Sequence, residues 1–279
     1  MKIFLTGGTG FIGSHFINGA HRAGHEIICL KIKNTGSSII LEKDPDWIIG
    51  KLDDDLPADI FNGIDVLVHL AAHSANVPYD TLNNCLYWNL TAPLKLFNTA
   101  QKAGVKNYLA AGSCFEYGKS GEKYEFIPPD APLLPTMTYP TSKAAASVAF
   151  SGWTAINNLK LKYLRIFQVY GEGELETRFW PFLKKTAEEG NDFPMTEGEQ
   201  IRDFMHVSEV AERFIKELDF SYITDGKPFI DNVGSGNPKS LREFAEYWWE
   251  KWNAKGKLKF GEIPYRENEI MRFIPQIND

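Results

Sequence analysis

The stretch that most limits how this chain can fold is its opening, Lys2-Ile-Phe-Leu-Thr-Gly-Gly-Thr-Gly-Phe-Ile-Gly13. A short apolar run, Ile3 to Leu5, meets glycines at 7, 10 and 13, and apolar residues then recur at helical spacing from Phe11 to Ala23. The pattern predicts strand, tight turn, helix. Glycines so spaced divide three tasks: one permits the backbone angles of the turn, one lets the chain approach a pyrophosphate, and one lets the helix pack on the strand. The free N–H groups at the start of such a helix then face the phosphates.

The rest of the chain has to supply a sheet for that first strand. With 279 residues, 43% of them apolar, it can bury the core of one doubly wound α/β domain with a parallel sheet and a smaller C-terminal lobe. The net charge of -6 and the lack of a basic block argue against a nucleic-acid surface or an anionic membrane as partner. Cys29, Cys85 and Cys114 show no Cys-x-x-Cys spacing, which suggests neither a disulfide framework nor zinc, and the six histidines offer no metal-ligand pair on one helix face. The residues before Thr6 are too few for a signal peptide, and no apolar run approaches the ~20 residues of a membrane span. A cytoplasmic protein without a metal is expected.

Along the chain, Glu26 to Ile32 is the expected second strand, and it ends in Lys31-Ile-Lys33. In dinucleotide-binding folds an acidic residue near this point holds the ribose 2′-hydroxyl, whereas a basic one accommodates a 2′-phosphate. No acid follows until Glu42, so NADPH is the expected cofactor; two lysines merely solvated at a strand end would leave NAD. Trp47 to Gly50 reads as a third strand, and Asp53 to Asp55 as the solvated start of a helix. Asp65 to Ala72 has the near-continuous apolar character of a strand buried on both faces. A helix over Leu82 to Ala103 follows, then a strand from Val105 to Gly112 carrying Ser113 at its end, and a loop with four prolines between Phe126 and Pro135. An Ala-rich helix runs from Tyr139 to about Asn157, with Pro140 in its first turn. Leu161 to Tyr170 reads as one strand. Residues 1–167 make the nucleotide-binding domain, and 168–279 mainly a substrate lobe, with segments near 203–233 returning to the main sheet.

Tyr139 and Lys143 stand four apart at a helix start, so their side chains share a face. A phenol titrates near ~10, and a neighbouring ammonium favours its ionised form, which makes Tyr139 usable as a general acid or base. Ser113, at a strand end where such sheets bind ligands, is placed to hydrogen-bond the same reacting oxygen.

With these residues in place the chain resembles the extended short-chain dehydrogenase/reductase family, in its nucleotide-sugar epimerase, dehydratase and reductase branch. The matching pieces are the opening glycine segment, His69-Leu-Ala-Ala72, Asn89, Ser113-Cys-Phe-Glu-Tyr-Gly118, Tyr139-Pro-Thr-Ser-Lys143, Leu164-Arg-Ile-Phe-Gln-Val-Tyr-Gly171, Arg202-Asp-Phe-Met-His-Val207 and Asn232-Val-Gly-Ser-Gly236. The resemblance implies a Rossmann domain with Tyr139 as proton donor, Lys143 as its modulator and a ligand of the nicotinamide ribose, Ser113 as the orienting hydroxyl, and Asn89 as a helix-positioning fourth member. It implies a cofactor lying along Gly7, Gly10, Phe11, Ile12, Gly13, Lys31, Lys33, Leu52, Asp53, Leu70, Ala71, Ala72, Phe167 and Val169. The nucleotide-diphosphate sugar would meet Ser113, Phe115 and Gln168, with Arg202 and Arg266 on the diphosphate, where guanidinium geometry suits; His73, following the fourth strand, and Arg178 are pocket candidates by position alone. A homodimer through the helices after Asn89 and Tyr139 is expected.

Departures from the family's pattern narrow the chemistry. Dehydratases carry an Asp-Glu pair directly after the serine or threonine; here the positions hold Cys114 and Phe115, so dehydration lacks its acid. Gly50-Lys51 stands where an adenine-contacting acid is usual, with Asp53 nearby, and Gln168 replaces the usual asparagine. The expected activity is NADPH-dependent reduction of the C4 ketone of a nucleotide-linked 4-keto-6-deoxy sugar. The alternatives are an NAD-dependent 4-epimerase and a catalytically idle dinucleotide-sensing relative.

Overall fold

The computed structural model describes residues 1–267 and 269–277. Its strands in chain order are β1 (Lys2–Thr6), β2 (Glu26–Lys31), β3 (Asp46–Ile49), β4 (Val66–His69), β5 (Asn107–Ser113), β6 (Lys160–Ile166) and β7 (Gln168–Tyr170). The C-terminal part adds β8 (Phe193–Pro194), β9 (Ile201–His206), β10 (Phe229–Val233), β11 (Pro238–Ser240), β12 (Leu258–Lys259) and β13 (Arg272–Phe273). Seven of them form a parallel sheet in the order β10-β6-β5-β4-β1-β2-β3. The order reverses between β1 and β4, and the crevice beyond the strand ends at such a reversal is where doubly wound sheets bind ligands.

The alternation of side chains along β1 divides the core. Ile3 and Leu5 join Phe16, Ile17, Val210 and Phe214 on one face, while Phe4 turns to Leu67, Phe97, Tyr108 and Phe150 on the other. Helices cover both faces, so β4 is buried along its whole length, as its apolar run requires. The first face is covered by α1 (Phe11–Arg22), and α2 (Leu82–Leu86), a π-helical turn (Tyr87–Thr91), α3 (Ala92–Lys102) and α4 (Thr138–Ile156) follow on the chain. After them come α5 (Phe179–Glu189), α6 (Val207–Lys216), which shares the first face with α1, and α7 (Leu241–Lys251). The glutamate three residues after Ser240 closes a capping box on α7: Glu243 N–H donates to Ser240 Oγ at 3.0 Å, and Ser240 N–H to the Glu243 carboxylate at 2.7 Å.

Three elements differ from the sequence reading, each for a local reason. The helix expected from Leu82 to Ala103 contains the π turn, because Pro93 has no N–H and its ring pushes off the carbonyl four residues back, that of Asn89. The strand expected from Leu161 to Tyr170 is two: the chain leaves the main sheet at Phe167, and β7 pairs with β9 in the register Gln168↔Phe204. Asp53 to Asp55 start no helix. Asp54 accepts from Lys51 N–H at 2.8 Å to close a turn, Asp53 accepts from Tyr87 OH at 2.9 Å, and Asp55 pairs with Lys95 at 2.7 Å. Of the apolar residues on the helices after Asn89 and Tyr139, Phe97 and Phe150 belong to the core, whereas Val148 is 67% exposed.

Smaller sheets shape the C-terminal part: β11, β9 and β13 lie side by side with β7 on β9, and β12 pairs with β8. Among the described residues no helix is long and apolar enough to cross a membrane.

Candidate active site

The glycine turn is tight enough to exclude side chains at two points. Gly7 has φ +79°, and a Cβ there would lie 2.4 Å from the backbone nitrogen of Ala71; a Cβ at Gly13 would lie 2.0 Å from the Gly7 carbonyl oxygen. The start of α1 carries no side-chain cap and no acid in its first turn, so its N–H groups are left for an anion. They face a cleft of about 890 Å³ that runs from Lys31, Thr35 and Lys51 past this turn to Ser113, Tyr139 and Arg178. The volume lies within the range of ligand sites, and an uncapped helix start beside a tight glycine turn fits a dinucleotide pyrophosphate.

Ser113 ends β5 and caps the short turn Cys114–Glu116: its Oγ accepts from Phe115 N–H at 3.3 Å, and its own N–H donates to Glu116 Oε1 at 2.7 Å. Glu116 is fully buried. It also accepts from Tyr163 OH at 2.8 Å and Arg165 Nε at 2.7 Å, and Arg165 donates onward to Pro129 O at 2.8 Å and Ser147 Oγ at 2.9 Å. A carboxylate with three donors is a rigid support, and it fixes the strand end that presents Ser113.

Beside Ser113, Tyr139 and Lys143 rise from the first turns of α4, and both line the cavity. Lys143 Nζ donates to Ala111 O at 2.8 Å. Burial pushes the Tyr139 phenol well above its ordinary range, Glu116, Tyr79 and Cys114 add to that, and the Ser113 hydroxyl pulls the other way. Burial lowers the Lys143 ammonium, with Glu116 opposing. Burial is the largest of these effects on the phenol and holds Tyr139 protonated.

The wall next to Tyr139 is tied by a polar network. His73 N–H donates to Asn89 Oδ1 at 2.7 Å, Asn89 Nδ2 donates to His73 O at 3.1 Å and Ser142 Oγ at 2.9 Å, and His73 Nε2 meets Asp80 Oδ2 at 2.8 Å. Tyr79 stacks at a tilt on Tyr139, ring centroids 5.5 Å apart. His69, at the end of β4, meets Thr6 Oγ1 at 2.7 Å, and burial lowers it to about 3, so it stays neutral.

Of the expected site residues, Gly7, Gly10, Phe11, Ile12, Gly13, Lys31, Leu52, Leu70, Ala71, Ala72, Phe167 and Val169 line the cleft together with His73, Ser113, Phe115, Tyr139, Lys143, Gln168 and Arg178. Five others are not part of its lining. Lys33 is exposed, because β2 ends at Lys31 and the strand's alternation no longer governs its direction. Asp53 is turned to Tyr87. Asn89 is buried, with its amide bonded to His73 and Ser142. Arg202 spends its guanidinium on Ile270 O at 2.6 Å, Ile201 O at 2.9 Å and Glu269 at 3.3 Å. Arg266 is exposed.

Sequence reasoning missed two carboxylates. Glu116 had a signal, since Ser113-Cys-Phe-Glu116 has the spacing of a capping box. Glu174, beside Arg178 on the cleft wall, had none. Among the described residues no three His, Cys, Asp or Glu side chains gather as a metal site would require.

Comparison with known proteins agrees with this geometry. Residues 3–224 match the model of the NAD dependent epimerase/dehydratase family. Over 281 residues the chain is 27% identical to the dTDP-6-deoxy-L-talose 4-dehydrogenase (NAD(+)) of Aggregatibacter actinomycetemcomitans, covering 97% of this chain and 98% of that one. It is 26% identical over 265 residues to the UDP-glucose 4-epimerase of Corynebacterium glutamicum, with 88% and 79% covered. In fold it superposes with a TM-score of 0.86 on the UDP-glucose-4-epimerase of Stenotrophomonas maltophila solved with bound NAD and formylated UDP-arabinopyranose, at 21% identity over 99% of this chain and 89% of that one. A family match across most of the chain, with its glycine turn and its Ser113, Tyr139 and Lys143 gathered on one cleft, means that this protein belongs to the NAD dependent epimerase/dehydratase family.

Proposed function

We propose that the protein reduces the C4 ketone of a nucleotide-linked 4-keto-6-deoxy sugar with NADPH. The observation that carries this reading is the placement of Ser113, Tyr139 and Lys143 on one cleft with the uncapped start of α1. Bound NADPH supplies the hydride. The chain's own residues do the remainder: the helix start and its glycines hold the pyrophosphate, Ser113 orients the ketone oxygen, and Tyr139 hands that oxygen its proton. A phenol kept protonated by burial is in the donor form at neutral pH, which suits reduction. At the adenosine end Lys31 and Lys51 line the cleft without a carboxylate, which suits a 2′-phosphate, although Lys31 also rests 4.4 Å over the Trp47 ring. Lys51 rather than Lys33 lies on the lining beside Lys31. The exposed Val148 on α4 supports the homodimer.

A second reading, 4-epimerisation with a retained NAD, is favoured by a bridge over the glycine turn. The Glu172 carbonyl oxygen lies 2.8 Å from His15 Nε2 on α1, and Ser38 meets Gly10 O at 3.2 Å and Thr9 O at 3.0 Å, so segments from both sides close on the phosphate path. Dinucleotide that survives purification would support this reading.

The test is incubation of pure protein with NADPH and a panel of nucleotide-linked 4-keto-6-deoxy sugars. Loss of reduced-nicotinamide absorbance with at least one of them is expected, and no loss across the panel rejects the reduction.

A further inference from the structure

Glu174 lies in the loop that leads into α5, four residues before Arg178, and both line the cleft. The guanidinium of Arg178 is close enough to act on the Cys114 thiol and the Tyr79 phenol, the neighbours of Ser113 and Tyr139, which puts this pair on the reacting side of the cavity. The Glu174 side chain is only 8% exposed. Its Oε1 stands 3.5 Å from Arg178 Nε, a long contact; the Gly171 backbone pulls weakly on the carboxyl, and the buried Oε2 has no partner within hydrogen-bond distance. Among the described residues that line the cleft, Glu174 is the one carboxylate.

A buried acceptor left without a donor is costly, and in folded proteins such an atom is satisfied by something that binds. The charge of the site says what that is. A carboxylate repels a diphosphate, so its complement is a neutral group that donates hydrogen bonds, and in a nucleotide sugar that group is the sugar. We propose that Glu174 is the glycosyl-recognition residue of the cleft, its free carboxyl oxygen accepting a hydrogen bond from a hydroxyl of the bound sugar while Arg178 holds the carboxylate in place. The inference rests on the reading that the ligand is a nucleotide sugar. Burial raises the carboxyl to about 7, so a neighbouring hydroxyl donor also restores part of what its ionised form has lost.

The experiment is calorimetric titration of wild type, Glu174→Ala and Glu174→Gln with UDP-, dTDP- and CDP-glucose, with the matching nucleoside diphosphates, and with NADPH. Glu174→Ala is expected to weaken the preferred sugar nucleotide about tenfold, as for a lost hydrogen bond to a charged group, and to leave the nucleoside diphosphate and NADPH unchanged. Glu174→Gln, which keeps an acceptor oxygen, should fall between. Equal weakening of sugar nucleotide and diphosphate would mean that Glu174 only positions Arg178, and weakened NADPH that it serves the cofactor; either result overturns the proposal, as does no change with any ligand. Wild type that binds neither these three sugar nucleotides nor their 4-keto-6-deoxy counterparts would sink the nucleotide-sugar reading itself and this inference with it. Thermal unfolding of each variant separates loss of fold from loss of contact.

Discussion

The support beneath Ser113 and the cleft wall at Glu174 are both built from one carboxylate and one arginine, yet they are finished differently. Below Ser113, both oxygens of Glu116 take donors, and every nitrogen of the Arg165 guanidinium has a partner. On the wall, Arg178 is partly exposed and reaches Glu174 only at 3.5 Å, and one carboxylate oxygen has no donor. A fully satisfied buried network costs desolvation but fixes geometry. A partly satisfied one at the edge of a cavity is unfinished until something enters. The first holds the Ser113 hydroxyl still, and the second, on the proposal above, leaves room for the sugar.

The difference can be broken by substitution. Replacing Glu116 by Ala leaves the Arg165 charge buried and unpaired, and should cost about 3–5 kcal/mol in denaturant unfolding; a cost under about 1 kcal/mol would mean that the support is not ionic. At the adenosine end, Lys31→Ala should weaken NADPH about tenfold while leaving NADH nearly unchanged, whereas equal weakening of both would assign Lys31 to packing on Trp47.

Glu174 makes the opposite prediction to Glu116. Burial raises its carboxyl from an ordinary 4.5 to about 7, so the folded chain holds this proton to higher pH than the unfolded chain does. The stability it contributes is complete below about 4.5 and lost as pH rises through 7. Glu174→Gln should therefore gain on wild type across that window and melt roughly 5–10 °C higher at pH 8. A difference that stays flat with pH would contradict the raised carboxyl. The smallest effect belongs to Arg178→Ala: its side chain is 38% exposed and Glu174 can take up a proton once unpaired, so stability should move by no more than ~1 kcal/mol, in contrast to the arginine beneath Ser113.

What was legible in the chain follows the range of the interactions involved. The opening turn and the Tyr139–Lys143 pair were readable because their geometry is set within a few residues. Gly7 needs its angle and Gly13 its close approach whatever the rest of the chain does. Lys31 and Lys33 looked equivalent at alternating positions, but the strand stops between them. Arg202 was assigned a ligand from its type and segment, while its actual partners, Glu269 and Ile270, lie more than sixty residues away. Of Glu172, Glu174 and Glu176, in the loop before α5, the first and last are exposed. Only the packing of the loop on the cleft turns the middle one inward, and sequence carries no mark of that.

The central claim is that Tyr139 delivers the proton that accompanies reduction of the bound sugar. Its most direct test is the turnover of Tyr139→Phe measured beside its affinities for NADPH and for the nucleotide sugar, since the substitution removes a single oxygen from a buried ring. The account predicts a fall in kcat of about 10²–10⁴-fold with both affinities unchanged. Turnover that survives the substitution would contradict it.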